Sequence, residues 1–162
     1  MRIVALCLTL LLPWAVQAEP WKVVGDEQFA PYSFVTIEDD QPRGLDVELV
    51  EAVMQEAKIP YSLRLYPWER VKRMIDRSEV AMAFQFAGTP ERMQQYELAG
   101  PIRTGSTVFM TSRKTALNDW DKLDDLSLFT IGQVRGYAYQ SDFDKAELSR
   151  DTSAQNPRQL VS

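Results

Sequence analysis

The sequence contains no histidine, and its only cysteine is Cys7. Without histidine there is no Ser/His/Asp triad, no Cys/His pair and little from which to build a zinc site. A single cysteine leaves nothing to pair into a disulfide. There is no basic stripe either. Lys and Arg number 18 against 23 Asp and Glu, a net charge of −5, so the chain lacks the electrostatic footprint of a nucleic-acid binder. A mildly acidic surface of this kind implies solubility. Beyond the N-terminus no apolar run approaches the ~20 residues that a membrane helix needs. No metal and no cofactor is expected.

What is present begins with a targeting segment. Arg2 supplies a positive start, Ile3 to Leu12 is apolar apart from Thr9, and Pro13 ends the run. Val16-Gln17-Ala18 sets small residues where a signal peptidase requires them, and polar sequence begins at Glu19. Residues 1–18 are therefore predicted to be a cleaved signal peptide, with an exported, periplasmic mature chain. Cys7 lies inside the apolar run, which argues against a lipoprotein anchor.

The 162 residues suffice for one compact core, or for one lobe and part of another. Trp21–Gly25 is a short apolar strand, followed by the aromatic loop Phe29-Ala30-Pro31-Tyr32 and a second short strand over Ser33–Ile37. After the polar turn Glu38–Arg43, Gly44 opens an amphipathic helix. Its apolar positions, Leu45, Leu49, Val50, Val53, Met54 and Ala57, recur at helical spacing. Ile59, Tyr61, Leu63 and Leu65 alternate as a strand, and Trp68, Val71, Met74 and Ile75 mark a second helix. Val80–Phe86 is a near-continuous apolar run, as in a buried parallel strand. Thr89-Pro90-Glu91 starts a third helix with a cap, a first-turn proline and a first-turn acid. Strands alternating with helices predict an α/β fold with a mainly parallel sheet. In such folds ligands bind at the loops after the carboxyl ends of strands, here Asp26–Tyr32, Tyr66–Trp68 and Ala87–Arg92.

After Gly100-Pro101 the pattern changes. Thr107–Thr111 is strand-like, Asp119–Leu126 a short helical piece, Phe129–Val134 a strand and Tyr137–Leu148 helical. Asn156-Pro157 starts another helix, with Leu160 and Val161 as its first buried residues. A helix that begins so near Ser162 has no room to bury a full face. The expectation is a chain cut within its second α/β unit, the alternative being a frayed tail.

Five segments occur in an order that resembles the extracytoplasmic solute-binding proteins, family 3, the polar-amino-acid-binding type that serves ABC transporters. They are Asp26–Tyr32, Gly44–Leu49, Pro67–Arg70, Gly88–Arg92 and Ile131–Gly136. The resemblance implies two α/β lobes of the periplasmic-binding-protein type II fold that close over a ligand. It divides the chain into 1–18, a first lobe over 19–108 largely present, and an incomplete second lobe over 109–162. It also implies a small amino-acid-like ligand, a membrane ABC permease as partner, and a monomer.

Carried onto this sequence, the resemblance makes Arg92 the residue that binds the ligand's α-carboxylate. Its fork of donors suits a carboxylate, and a first-turn arginine joins unpaired N–H groups; the bland alternative is a solvated surface arginine. Thr89 either contacts the same carboxylate or simply caps the helix. Ala87 takes a place where the family often has a hydroxyl residue, and Gln85 another, so any contact from Ala87 would be by its N–H. Phe29 and Trp68 match aromatic positions flanking the ligand, or else are core residues. Asp26 matches an acid that can touch a ligand side chain, or else is a turn residue. Tyr137, with Gly136, matches a second-lobe turn that offers backbone N–H groups. Asp46 and Glu48, two apart on a helix, face different ways and make no catalytic pair. The leading function is thus a binding protein that captures a small amino acid or related carboxylate metabolite for an ABC transporter. The alternatives are a ligand-sensing module of a signalling protein and a non-functional fragment of a binding protein. An enzyme is not expected.

Overall fold

The computed structural model describes residues 18–36, 38–115, 117 and 119–161. The expected signal peptide, save Ala18, and Cys7 lie outside the described residues. Among the described residues no helix is long and apolar enough to cross a membrane.

The chain builds around β1 (Trp21–Asp26), whose inner four residues are all buried. It pairs in parallel with β5 (Tyr61–Tyr66) on one side, Trp21 opposite Tyr61 through Asp26 opposite Tyr66. On the other side lies β6 (Met82–Ala83), with Val23 opposite Met82. Successive side chains of a strand face opposite ways, and this divides the core in two. Val23 meets Val47, Val50 and Met54 of α1 (Leu45–Glu56), together with Leu65 and Phe84. Val24 meets Trp68 and Val71 of α2 (Trp68–Asp76), together with Val80. The parallel sheet between helices is the α/β arrangement that the alternating pattern predicts.

A small antiparallel sheet of β2 (Gln28–Phe29), β3 (Ser33–Val35) and β4 (Pro42–Arg43) carries the aromatic loop. Gly44 links it to α1 with φ 123°, and a Cβ there would lie 2.3 Å from the Tyr32 carbonyl oxygen, so only glycine fits this turn. Helix α3 (Pro90–Gln95) is capped by Thr89, whose hydroxyl accepts from the Arg92 N–H at 3.3 Å. The second unit holds a 3-10 turn (Leu123–Leu126), the parallel pair β7 (Thr130–Gly132) and β8 (Ser149–Asp151), α4 (Ser141–Lys145) and α5 (Pro157–Leu160). Leu126, Val134, Phe143 and Ala154 are its buried apolar residues. Arg150 ties it together, donating to Gln133 Oε1 at 2.9 Å and to the carbonyls of Phe143 and Ala146 at 2.5 and 2.9 Å.

Several expectations are corrected. The buried face of α1 is Asp46, Val47, Val50 and Met54, while Leu45, Leu49 and Val53 are exposed. The stripe through positions 46, 50 and 54 faces β1, and the other apolar residues lie off it. The run Val80–Phe86 contributes only two residues of strand, since the backbone turns away at Gln85, where φ is 73°. Thr107–Thr111 is not a strand: among the described residues nothing pairs with it, and Val108 and Met110 are exposed while Phe109 packs on Trp120 and Phe143. The helix expected over Tyr137–Leu148 shrinks to α4, because residues before Gln140 are held extended by the Tyr139 hydroxyl, which accepts from the Val134 N–H at 2.8 Å. Leu160 and Val161 are exposed, although Asn156 caps α5 as its sequence suggests.

A buried polar network joins these elements. Gln85 Oε1 accepts from the Asp26 N–H at 3.1 Å, and Gln85 Nε2 donates to Ser33 Oγ at 2.7 Å and to Asp46 Oδ2 at 3.2 Å. Ser33 Oγ donates to the Asp26 carbonyl at 2.5 Å. Arg103 Nε reaches Asp46 Oδ2 at 3.2 Å, with its guanidinium over the Tyr32 ring at 3.9 Å. Asp26, Ser33 and Asp46 are all buried, and such groups are costly unless bonded.

Two predictions follow from this packing. Met54→Ala should destabilise the fold by about 2–5 kcal/mol in urea denaturation, as for other buried large-to-Ala changes, and Leu49→Ala on the same helix by much less; equal losses would refute the assigned face. Gln85→Leu should cost about 1–3 kcal/mol by stranding buried partners, and a change inside the ~0.5 kcal/mol typical of surface positions would show the network to be dispensable.

Candidate functional site

The carboxyl end of β1 delivers Asp26 to the mouth of the fold, and the β5–α2 turn delivers Trp68 beside it. Trp68 is buried on α2 because it opens the apolar face shared with Val71. Phe29 ends β2, and Phe86, Ala87, Thr89 and Arg92 lie on the segment running from β6 into α3. Parallel strands place these loops at one end of the sheet.

Tyr137 arrives from the second unit. Its hydroxyl donates to Asp26 Oδ2 at 2.5 Å, and its ring packs edge-to-face on Phe29 at 5.9 Å and on Trp68 at 6.0 Å. The same turn is fastened by the Trp68 indole N–H, which donates to the Gly136 carbonyl at 2.9 Å. Gly136 has φ 75°, and a Cβ there would fall 1.7 Å from Glu69 Oε1. The left-handed backbone of this turn favours glycine, and a Cβ would also displace the ends of the Glu69 and Lys72 side chains. The Tyr137 N–H donates to the Val134 carbonyl at 3.2 Å, closing the turn. It is the side chain of Tyr137, not its amide, that reaches into the first unit.

Burial raises the pKa of Asp26 above the usual carboxylate value, against the lowering effect of bonds from Tyr137 and the Gln28 N–H. Burial and the adjacent Asp26 carboxyl likewise raise that of Tyr137. The pair is therefore a neutral phenol donating to a desolvated carboxyl group.

Arg92 lies over Phe86 at 4.9 Å and Trp68 at 5.7 Å, a cation facing aromatic rings. Its Nη1 has a long contact of 3.5 Å with the Ala87 carbonyl, and burial lowers its pKa from the ordinary value. Among the described residues no carboxylate stands within ion-pair distance of it. Its guanidinium therefore retains donors for an anion. Tyr96 buttresses Phe86 at 5.3 Å and donates to Asp76; burial and that bond push its pKa up to about 12.

An open cavity of about 360 Å³ lies beside Arg92, lined also by Thr89, Glu91, Ala138, Ser141, Asp144 and Lys145. Lys145 pairs with Glu91 across the two units at 3.1 Å, and Asp144 accepts from the Tyr139 N–H at 3.1 Å. Among the described residues no group of His, Cys, Asp and Glu is suited to hold a metal ion.

The seven residues singled out in the sequence fall into two groups, joined where Arg92 lies over Trp68. Asp26, Phe29, Trp68 and Tyr137 form one contact cluster, and Ala87, Thr89 and Arg92 an adjacent one. Sequence reasoning missed Gln85 as the support of Asp26, although a lone polar residue inside the apolar run Val80–Phe86 was the available signal. It gave Asp46 no part beyond its failure to pair with Glu48, where its phase with Val50 and Met54 marks it as buried. Arg103, Ser141, Asp144 and Lys145 carried no local signal.

The fold has clear counterparts among solved structures. A Salmonella typhimurium periplasmic binding protein with high arginine specificity superposes with a TM-score of 0.64 at 20% identity, covering 89% of this chain and 63% of its own. The arginine-, lysine-, histidine-binding protein ArtJ of the thermophilic bacterium Geobacillus stearothermophilus gives 0.63 at 21% identity, covering 88% and 61%. An ancestral cationic amino acid solute binding protein gives 0.50 at 18% identity, covering 88% and 65%. The chain thus spans less than two thirds of the length of each, one lobe and part of another in a two-lobe fold. No curated protein sequence matches it. The pattern of bacterial extracellular solute-binding proteins, family 3, matches residues 21–154. With its parallel sheet, its ligand-side loops and this match over most of its length, the chain belongs to the bacterial extracellular solute-binding proteins, family 3, which bind solutes rather than transform them.

Proposed function

We propose that this chain captures a small amino acid or related carboxylate metabolite outside the cytoplasm and presents it, as a monomer, to a membrane ABC permease. The observation that carries this reading is Arg92. It is a partly buried guanidinium that makes no ion pair among the described residues, with Asp144 acting on it only through space, set over Phe86 and Trp68 and lining a cavity between the two units. Such a group is poised for a carboxylate, since bidentate bonds to an anion would replace the water that burial removes. Thr89, on the same cavity, can add its hydroxyl, and Ala87 lies two positions before it in the chain.

The division into a first lobe over 19–108 and a second over 109–162 belongs to the same reading. It is supported by the separate packing of Val23, Val47 and Val71 on one side and Leu126, Val134 and Phe143 on the other. Contacts of Tyr137, Gly136 and Lys145 with the first unit are those of a cleft drawn closed. Binding by closure requires such contacts to be exchangeable, because ligand can shift the balance only by its differential affinity. The structural neighbours include binders of arginine and of arginine, lysine and histidine; an arginine aimed at a carboxylate would serve any of these as well as a smaller acid.

Thermal melts with a panel of L-α-amino acids should reveal at least one that raises the Tm with concentration. Arg92→Ala should weaken that ligand by more than about tenfold, as a charge-assisted bond is worth ~1.5–3 kcal/mol. Equal affinities would remove Arg92 from the site.

Asp26 gives a pH signature. Its folded pKa is raised, so its favourable contribution is fully present below the ordinary carboxylate pKa and is lost as pH rises through the raised value. The stability of wild type relative to Asp26→Asn should therefore increase as pH falls from neutral into the acid range. A difference that is flat, or of opposite slope, in denaturant titrations at several pH values would contradict a desolvated Asp26.

A further inference from the structure

We propose that Tyr137 is a specificity determinant of this cleft: its ring fills the space against Phe29 and Trp68, its hydroxyl occupies Asp26, and the ligand is thereby restricted to a short carboxylate held at Arg92. The inference rests on the reading of Arg92 as the carboxylate site, and adds to it which ligands that site excludes.

Three observations support it. The aromatic surfaces of Phe29 and Trp68, suited to cover a long ligand side chain, both meet the edge of Tyr137, at 5.9 and 6.0 Å. Both carboxylate oxygens of Asp26 are engaged: Oδ1 accepts from the Gln28 N–H at 2.9 Å and Oδ2 from Tyr137 at 2.5 Å. A cationic side chain entering here would have to displace the phenol from Asp26 Oδ2 and move the ring. In the remaining cavity Glu91 is paired with Lys145 at 3.1 Å, and Asp144 accepts from the Tyr139 N–H at 3.1 Å while its charge acts on Arg92. Among the described residues Arg92 makes no ion pair and keeps donors for a carboxylate, so what fits beside it is a carboxylate with little attached.

The turn behind Tyr137 keeps it in place. Trp68 donates to the Gly136 carbonyl at 2.9 Å, and the Tyr137 N–H closes on Val134 at 3.2 Å. The backbone carrying the ring is thus fastened on both sides. While these contacts are made, an incoming group must displace the side chain together with its bonds.

The test is calorimetric titration of the protein with L-alanine and L-arginine, for wild type, Tyr137→Ala, Tyr137→Phe and Arg92→Ala. Wild type should bind L-alanine at least about tenfold more tightly than L-arginine, a difference of ~1.4 kcal/mol. Tyr137→Ala should raise the ratio of L-arginine to L-alanine affinity at least about tenfold, while Tyr137→Phe, which keeps the ring, should still exclude L-arginine. Binding of L-arginine by wild type as tightly as L-alanine overturns the proposal whether or not the alanine variant folds. So does an unchanged ratio in a folded Tyr137→Ala, or free admission of L-arginine by Tyr137→Phe. If wild type binds neither probe, L-arginine binding by Tyr137→Ala supports the proposal and its absence overturns it. Arg92→Ala separates the two readings: unchanged L-alanine affinity removes the carboxylate site, whereas a selective effect of Tyr137 alone leaves it standing.

Discussion

Asp26 is the residue on which the arrangement turns. It stands at the carboxyl end of the central strand, and each of its polar groups is bonded. Its N–H goes to Gln85, its carbonyl to Ser33, one carboxylate oxygen to the Gln28 N–H and the other to Tyr137. Burying a carboxyl group is expensive unless its bonds are replaced. The replacements for the carboxylate come from β2 and from the second unit, while β3 and the segment after β6 bond the backbone of the same residue. One buried side chain therefore fixes the relative positions of the aromatic loop, the chain leading to Arg92 and the turn at Gly136.

The same physics explains why Gln85 accepts a left-handed backbone. A φ of 73° is unusual for a residue with a Cβ, and it persists here because the side chain amide meets Asp26, Ser33 and Asp46 at once. Asp46 in turn holds Arg103 over Tyr32, which packs on Phe29 at 5.4 Å. The walls of the cleft are thus rigid on the first-unit side. What can change is the approach of the second unit, whose polar contacts with the first include Tyr137 to Asp26, Trp68 to Gly136 and Lys145 to Glu91.

The fold was legible where period and burial agree. Val23 and Val24 on β1, the alternation of Tyr61, Leu63 and Leu65, and the face of α2 led by Trp68 and Val71 could be read directly, because each element is locally amphipathic or wholly buried. The face of α1 was misjudged because apolar residues surround much of the helix and only packing on β1 selects Val47, Val50 and Met54. Thr107–Thr111 looks like a strand but has none beside it among the described residues. The helix after Tyr137 was overestimated because the hydroxyl of Tyr139 and the fastening of Tyr137 hold the backbone extended, and those bonds are made at a distance.

By itself the sequence determined the alternation of strands and helices, the capped start of α3, the family and the set of residues that gather at the strand ends, since these follow from short-range pattern and ordered motifs. The tertiary structure alone decided what those residues do to one another. That Tyr137 lies on Phe29 and Trp68, that Asp26 is engaged on both oxygens, that Gln85 links β1, β3 and α1 and that Arg92 makes no ion pair among the described residues depend on contacts spanning up to 111 positions of chain. No local periodicity encodes such pairings, because they are selected by the packing of whole elements and by the cost of leaving a buried polar group unbonded.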